Sequence, residues 1–455
     1  MKMIIDICGK RISEYIVDIL AKFNRGINDL KIRAIGGNIS KGIEIAHILS
    51  KNKKFNVEIA SSEIKSFTIV IKEKEIQIPG VEITLKRANM MPTNSGATIQ
   101  EQSEHEEKTN FEFEFVDFPT YHLLLDWLLF SKKEIKLVHD NKPLLTISLQ
   151  NDTIECEIDQ SIINERNKIE GIRDAFYRCG LLFLYNWRDI FMKLSGFDDV
   201  ILGIDTNILY TCTITEHLLP VLSLMQLGNN IQTPNWILFV IPKDVMREIE
   251  ESANIRDDKG FLKTQGRMGF RALQEIIELN RYADTPGVSL LIFGEVKSFT
   301  GDLLIRDQFK NFLQRLNFHK GVYFLTADKT NSALAHAEGL NPILFRLPYE
   351  YYEKHLKSPF SFYEIDVKNA EKIKIEVPIG KLLYEMAVQF SILNIPINNS
   401  EQLTIQCDAK GENLDNWLFR KLRINGLKAL RGQYSGIDLK EVSKIWNDLA
   451  KKFII

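Results

Sequence analysis

Hydrophobic and polar positions recur along this chain with two periods, and the places where the period changes divide it into parts. Residues 1–87 read as a strand from Lys2 to Cys8, a Gly9-Lys10-Arg11 turn, a helix from Ser13 to Phe23 and a strand from Asp29 to Ile35. After Gly36-Gly37-Asn38 come a helix from Ile39 to Leu49 and strands near Val57 to Ile64, Ser66 to Ile71 and Val81 to Leu85. That β-α-β-α-β-β order predicts two helices packed on one sheet. From Ala88 to about Asn110 the chain is polar and acidic with no periodic apolar positions, the composition of a linker over 88–110 that cannot bury itself.

Residues 111–197 predict a helix through Tyr121 to Phe130 and then three apolar runs, Ile135 to Val138, Leu144 to Leu149 and Thr153 to Ile158. Turn residues at His139-Asp140-Asn141-Lys142 and Gln150-Asn151-Asp152 make these a small antiparallel meander. The amphipathic stretch Ile162 to Leu194 reads as one long helix packed on it. No role attaches to this small α+β domain. Residues 198–347 instead alternate strands (Val200 to Ile204, Trp236 to Ile241, Ser289 to Phe293, Val322 to Leu325) with helices through Glu216 to Leu227, Asp244 to Glu251, Gly269 to Leu279 and Arg306 to Leu316. Such alternation predicts a mainly parallel, three-layer α/β sheet. The last part, 348–455, reads as a C-terminal α/β extension with strands Lys372 to Val377 and Gln402 to Cys407, an apolar helix Gly380 to Leu393, and an amphipathic helix from Leu414 carrying Arg420, Lys421, Arg423, Lys428 and Arg431.

Length agrees with this partition, because 455 residues exceed one ordinary core and call for about two to four domains. A net charge of -2 excludes a strong global field, so nucleic-acid affinity must come from local patches. The five cysteines, Cys8, Cys156, Cys179, Cys212 and Cys407, never form a CxxC pair, which argues against a disulfide framework or a zinc site and for a reducing cytoplasm. No eighteen-residue apolar window occurs, and Met1 to Leu20 carries Lys2, Asp6, Lys10, Arg11, Glu14 and Asp18 in place of a signal core, so no membrane partner is expected.

Four acids stand at telling places in the alternating region. Asp205 ends its first strand and Asp328 its last; Glu248 lies a turn and a half into the helix opened by Pro242, and Asp307 begins a helix. Open α/β folds place their chemistry at the carboxyl edge of the sheet. Clustered carboxylates there suit a hard divalent cation such as Mg2+ or Mn2+. Taken singly, Asp205 or Asp328 would be a turn former or helix cap and Glu248 a solvated helix residue. Only the ordered set points to a metal.

The segments Ile204-Asp205-Thr206-Asn207, Pro242-Lys243-Asp244-Val245-Met246-Arg247-Glu248-Ile249 and Leu325-Thr326-Ala327-Asp328-Lys329, followed by Ala333, Ala335 and Ala337-Glu338-Gly339, resemble the motifs of a PIN domain nuclease. The resemblance covers about a third of the chain, one ordinary domain. It implies hydrolysis of phosphodiester bonds, usually in RNA, by one or two magnesium or manganese ions. Carried over by position, Asp205, Glu248, Asp307 and Asp328 are the catalytic metal ligands, with Asp302 close enough to replace or join Asp307. Thr206, Asn207 and Thr326 match polar positions that support the acids. The basic stretch from Ile255 to Arg271 reads equally as a grip for substrate phosphates or as a solvated loop and helix face.

A second resemblance covers residues 1–87. Gly9-Lys10-Arg11-Ile12-Ser13-Glu14-Tyr15 and Ile32-Arg33-Ala34-Ile35-Gly36-Gly37-Asn38-Ile39-Ser40-Lys41-Gly42 look like an Alba domain, a small chromatin- and RNA-binding fold. It implies nucleic-acid contacts by Lys10, Arg11, Arg33 and Lys41. The chain departs from the pattern at Ile35 and Gly37, places often held by arginine. The combined expectation is a multidomain α/β protein in which a PIN-like three-layer parallel sheet is preceded by an Alba-like α+β domain. Its expected activity is a divalent-metal-dependent, endonucleolytic ribonuclease acting on RNA, with a homodimer through the Alba-like or PIN-like domain allowed. The alternatives are a nucleic-acid-binding or chromatin-associated protein with an idle acidic site, and a DNA nuclease on the same domain.

Overall fold

The computed structural model describes residues 3–7, 12–24, 27–35, 39–51, 57–71, 74–87, 113–150, 153–182, 186–219, 222, 234–283, 287–295, 301–316, 321–346, 362–366, 372–376, 379–398, 401–411 and 413–427. Lys10, Arg11, the segment 88–110, Lys428 and Arg431 lie outside the described residues.

The first module runs β1 (Met3–Ile7), α1 (Ile12–Asn24), β2 (Asp29–Ile35), α2 (Ile39–Lys51), β3 (Val57–Ile71) and β4 (Lys74–Arg87), with sheet order β1-β2-β4-β3. On β2 the alternation sends Leu30, Ile32 and Ala34 into a core with Tyr15, Ile19, Ile45 and Leu49, and turns Lys31 and Arg33 outward. The two strands expected over 57–71 are one fifteen-residue strand, because β4 pairs along its whole length across a single bulge between Ile59 and Ser61.

Next come β5 (Glu114–Val116), α3 (Phe118–Lys132), β6 (Glu134–His139), β7 (Lys142–Gln150), β8 (Thr153–Ile158), α4 (Arg166–Arg178) and α5 (Trp187–Leu194). Asp117 caps α3, its carboxylate accepting the Thr120 hydroxyl at 2.6 Å. Asp140 and Asn141 turn the β6–β7 hairpin with φ of 49° and 57°. The single helix expected over Ile162 to Leu194 is two, since α4 ends at Arg178, Cys179 caps it and Gly180 turns the chain away with φ of 86°.

The third part holds β9 (Asp199–Ile204), α6 (Thr206–Tyr210), a π-helical turn (Ile214–Leu218), β10 (Trp236–Pro242), α7 (Lys243–Ala253), α8 (Thr264–Ala283), β11 (Val288–Phe293), α9 (Asp302–Leu316), β12 (Val322–Thr326), α10 (Lys329–Ala337) and β13 (Pro342–Leu344). Its five strands are all parallel, in the order β11-β10-β9-β12-β13. The chain enters at the centre, builds one side, and then crosses to the other, so the switch point falls between β9 and β12. Gly203 lets Phe309 of α9 lie on the strand, for a Cβ there would meet the ring at 2.7 Å.

The chain ends with the antiparallel pair β14 (Phe362–Asp366) and β15 (Lys372–Glu376), then α11 (Ile379–Phe390), β16 (Ile392–Pro396), β17 (Gln402–Gln406), α12 (Leu414–Leu418) and β18 (Leu422–Asn425). Here the expected partition gives way. Strands from 111–197 and from 348–455 form one antiparallel seven-stranded sheet, β5-β18-β17-β16-β6-β7-β8, so the parallel sheet is inserted within a single α+β unit. The cause is pairing: β6 has a free edge that β16 satisfies, with Asn394 opposite Val138. Buried charges fasten the two sheets together. Glu385 of α11 binds Arg178 and Arg271 at 2.8 Å each, while Glu216 receives Lys381 at 2.7 Å and Arg420 at 3.0 Å. Among the described residues no helix is long and apolar enough to cross a membrane.

Candidate active site

Asp205 leaves β9 in extended conformation and caps α6. Its side chain is almost wholly buried at the switch point, with 2% exposure. One carboxylate oxygen accepts the Thr206 N–H at 2.8 Å; the other accepts Asn207 Nδ2 at 2.8 Å, Thr326 Oγ1 at 2.5 Å and Asn331 Nδ2 at 2.7 Å. Asn207 also spans the gap between strands, its Oδ1 accepting the Ala327 N–H at 2.8 Å. Thr206 turns the other way and donates its hydroxyl to Glu248 Oε2 at 2.6 Å. One loop therefore holds both acids: Asp205 through β9, and Glu248 through α7, which follows the neighbouring strand β10.

The electrostatics follow from this crowding. Burial raises the Asp205 carboxyl above the ordinary aspartate range, opposed by the Thr326 and Asn331 hydrogen bonds and reinforced by the charge of Asp302. Burial likewise raises Glu248; the Thr206 hydroxyl opposes the rise, and Asp205, Asp302 and Asp244 add to it. Asp302, exposed at the first residue of α9, thus acts on both acids.

Asp307 is not brought to this group: it faces Lys310 at 3.7 Å, one turn along α9. Asp328 stands at the same sheet edge but caps α10, one oxygen accepting the N–H groups of Thr330 at 2.6 Å and Asn331 at 2.9 Å. Among the described residues no group of three or more histidine, cysteine, aspartate or glutamate side chains stands close enough to hold a metal ion. Of the expected constellation of Asp205, Glu248, Asp307 and Asp328, this structure links Asp205 and Glu248 through Thr206, with Asp302 near enough to act on both.

Sequence reasoning missed the support behind Asp205. Asn331 is fully buried; its amide donates to Asp205 while its carbonyl accepts from Arg306, which is 3% exposed. Arg306 also binds Glu338 at 2.8 Å, joined by Lys310 at 2.5 Å, and these hydrogen bonds hold the Glu338 carboxyl down at about 2. The available signal was an asparagine in the first helical turn, three residues after a strand-end acid.

Arg33 on β2 is paired through both carboxylate oxygens of Asp6, with Nη2 at 2.9 Å, and lies over the Phe67 ring at 5.8 Å. Lys41 sits in the first turn of α2, partly buried. In the stretch from Ile255 to Arg271 neither reading holds for its last arginines. Arg267 is buried against the carbonyls of Val388 at 2.6 Å and Gln389 at 3.0 Å, and Arg271 against Glu385, so both fasten α8 to α11.

No protein-family model matches the chain, and no curated protein matches it in sequence. Among solved structures it is similar to Alba from Thermoplasma volcanium at 25% identity and a TM-score of 0.17, over 18% of this chain and 99% of that one. A domain of a functionally unknown protein from Methanocaldococcus jannaschii DSM 2661 matches at 21% identity and a TM-score of 0.23, over 32% of this chain and 91% of that one. At these scores neither likeness fixes a role.

Proposed function

We propose that the chain is a divalent-metal-dependent endoribonuclease of the PIN type, with an Alba-like first module that binds nucleic acid. The observation that carries the reading is the pairing of Asp205 and Glu248 through Thr206 at the switch point of a parallel sheet, two carboxyls raised by burial and by the charge of Asp302, Glu248 also by that of Asp205. Neighbouring carboxyls whose charge is disfavoured by burial and like charge can be relieved by a bound cation as well as by a proton. The donor set fits a small oxygen-seeking ion, since magnesium uses one or two carboxylates and keeps its remaining ligands as water and substrate phosphate. Asp205 and Glu248 would hold it, with Asp302 adding charge from α9. When bound, such an ion neutralises charge on a phosphodiester and lowers the pKa of coordinated water. The chain's own part is positioning: Asn207, Thr326 and Asn331 fix the Asp205 carboxylate, and Thr206 fixes that of Glu248.

One observation favours the rival binder with an idle acidic site. Asp205 already accepts four hydrogen bonds, and no three-acid group stands among the described residues. Incubating purified protein with labelled RNA and DNA oligonucleotides in Mg2+, Mn2+ or chelator separates the readings. Internal cleavage of RNA that requires metal and is lost in Asp205→Asn and Glu248→Gln is expected. Cleavage unchanged in both variants would assign the activity to a contaminant, intact RNA in every metal would support the binder, and preference for DNA would select the third reading.

A further inference from the structure

The outer face of the seven-stranded sheet ends in a cluster that neither the nuclease reading nor the Alba-like module uses. On β18, Leu422 and Ile424 point into the core, so the intervening Arg423 points out, directly opposite Phe115 on β5. Its guanidinium lies 5.0 Å from the ring centre of Phe113 and 5.7 Å from that of Phe115. Phe115 is 52% exposed, although an apolar ring of this size is normally covered. Lys421, two residues before Arg423, stands 5.4 Å from the ring of Phe419. Neither cation forms an ion pair among the described residues, and Arg423 Nε is buried with no hydrogen-bond partner. The next rung inward is polar, with Thr404 Oγ1 donating to Asn394 at 2.9 Å. Among the residues whose exposure is described, the exposed acids Glu134 and Glu157 of this face stand on β6 and β8, beyond β16.

Three phenylalanines interleaved with two cations that have no anion among the described residues present stacking surfaces beside positive charge. We infer that the β5–β18 end of this sheet is a platform for single-stranded nucleic acid, in which bases stack on Phe113 and Phe115 and neighbouring phosphates take Arg423 and Lys421. Every base has a flat π face, so such a surface is tolerant of sequence. A duplex hides those faces and gives the phenylalanines nothing to stack on. An acidic partner protein would use the cations but leave the open ring of Phe115 unexplained. The inference does not rest on cleavage, because binding is read in chelator.

The test uses the full chain with fluorescein-labelled fifteen-nucleotide uridine and thymidine strands and a labelled duplex, followed by fluorescence anisotropy in EDTA. Phe115→Ala is expected to weaken single-strand binding roughly 5- to 150-fold, the range for one lost stacking contact. Phe115→Tyr keeps the ring and is expected to bind like the parent, which separates lost stacking from a damaged fold. Arg423→Gln is expected to lower the slope of log affinity against log salt by about 0.7, one phosphate contact on a single strand. A 4-thiouridine strand should cross-link to the peptides bearing Phe113 to Phe115 or Phe419 to Arg423. Cross-links confined to other peptides, with Phe115→Ala binding unchanged, would overturn the inference, as would equal losses for single strand and duplex.

Discussion

Replacing Glu275 by glutamine probes what burial costs where the two sheets meet. Glu275 lies on α8 with no exposed surface; one carboxylate oxygen accepts the Thr215 N–H at 2.9 Å and the other meets the Thr215 hydroxyl. Burial pushes its carboxyl from an ordinary 4.5 up to about 7; Arg271 and the Thr215 hydrogen bonds oppose the rise, and Glu278 adds to it. Between those two values the folded chain holds a proton that the unfolded chain has released. The stability this proton confers is therefore complete below about pH 4.5 and is lost as pH climbs through about 7. At roughly 1.4 kcal/mol per tenfold change in proton affinity, the loss comes to about 3 kcal/mol. Glutamine has nearly the same shape, accepts the same backbone N–H, offers its amide to the hydroxyl and has no proton to lose. Arg271 gives up one acidic neighbour but keeps Glu385 at 2.8 Å, so the net gain at pH 8 is expected at about 1 to 3 kcal/mol. Urea midpoints of parent and variant, measured from pH 5 to pH 8.5 at constant ionic strength, report it as a difference curve in which shared titrations cancel. The curve should rise with pH and flatten near 8. A flat curve, or a variant weaker throughout, would refute the assignment of a retained proton to this site.

Three other outcomes follow from the same structure. Asn331→Leu removes a donor from Asp205 and an acceptor from Arg306, each a hydrogen bond to a charge worth roughly 1.5 to 3 kcal/mol; a fall of about 3 kcal/mol in denaturant stability is expected, with weaker Mn2+ binding in spin-resonance titration. Asp302→Asn is expected to weaken Mn2+ binding about tenfold, roughly 1.4 kcal/mol, while Asp307→Asn, which among the described residues disturbs the contact with Lys310, leaves it unchanged; the reverse order would show that α9 presents its other face to the site. Glu385→Gln strands Arg178 and Arg271 in the interior and should cost roughly 3 to 5 kcal/mol, seen as early release of α11 in hydrogen exchange.

The period of the chain made much of the parallel sheet legible. Val200 to Ile204, Trp236 to Ile241 and Val322 to Leu325 were readable as buried strands and fall within one residue of β9, β10 and β12. A strand followed at once by Asp205 or Asp328 told where those acids stand, because the end of a strand is set by its immediate neighbours. Position did not tell function: one oxygen of Asp328 is taken up in capping α10.

What sequence alone determined was local: element type, strand ends, and which residues could share a face. Tertiary structure decided the rest. It paired β18 with β5 and β16 with β6 across the inserted parallel sheet, put Asp302 and not Asp307 beside the acidic pair, and hid Arg267 and Arg271 in the interior although they read as a surface grip or a solvated face. The physical reason is range. A hydrophobic period reports contacts within a turn or two, whereas Tyr121 bonds the Arg420 carbonyl at 2.8 Å across 299 positions and Arg178 meets Glu385 across 207, and charges depend on burial that only such distant contacts create.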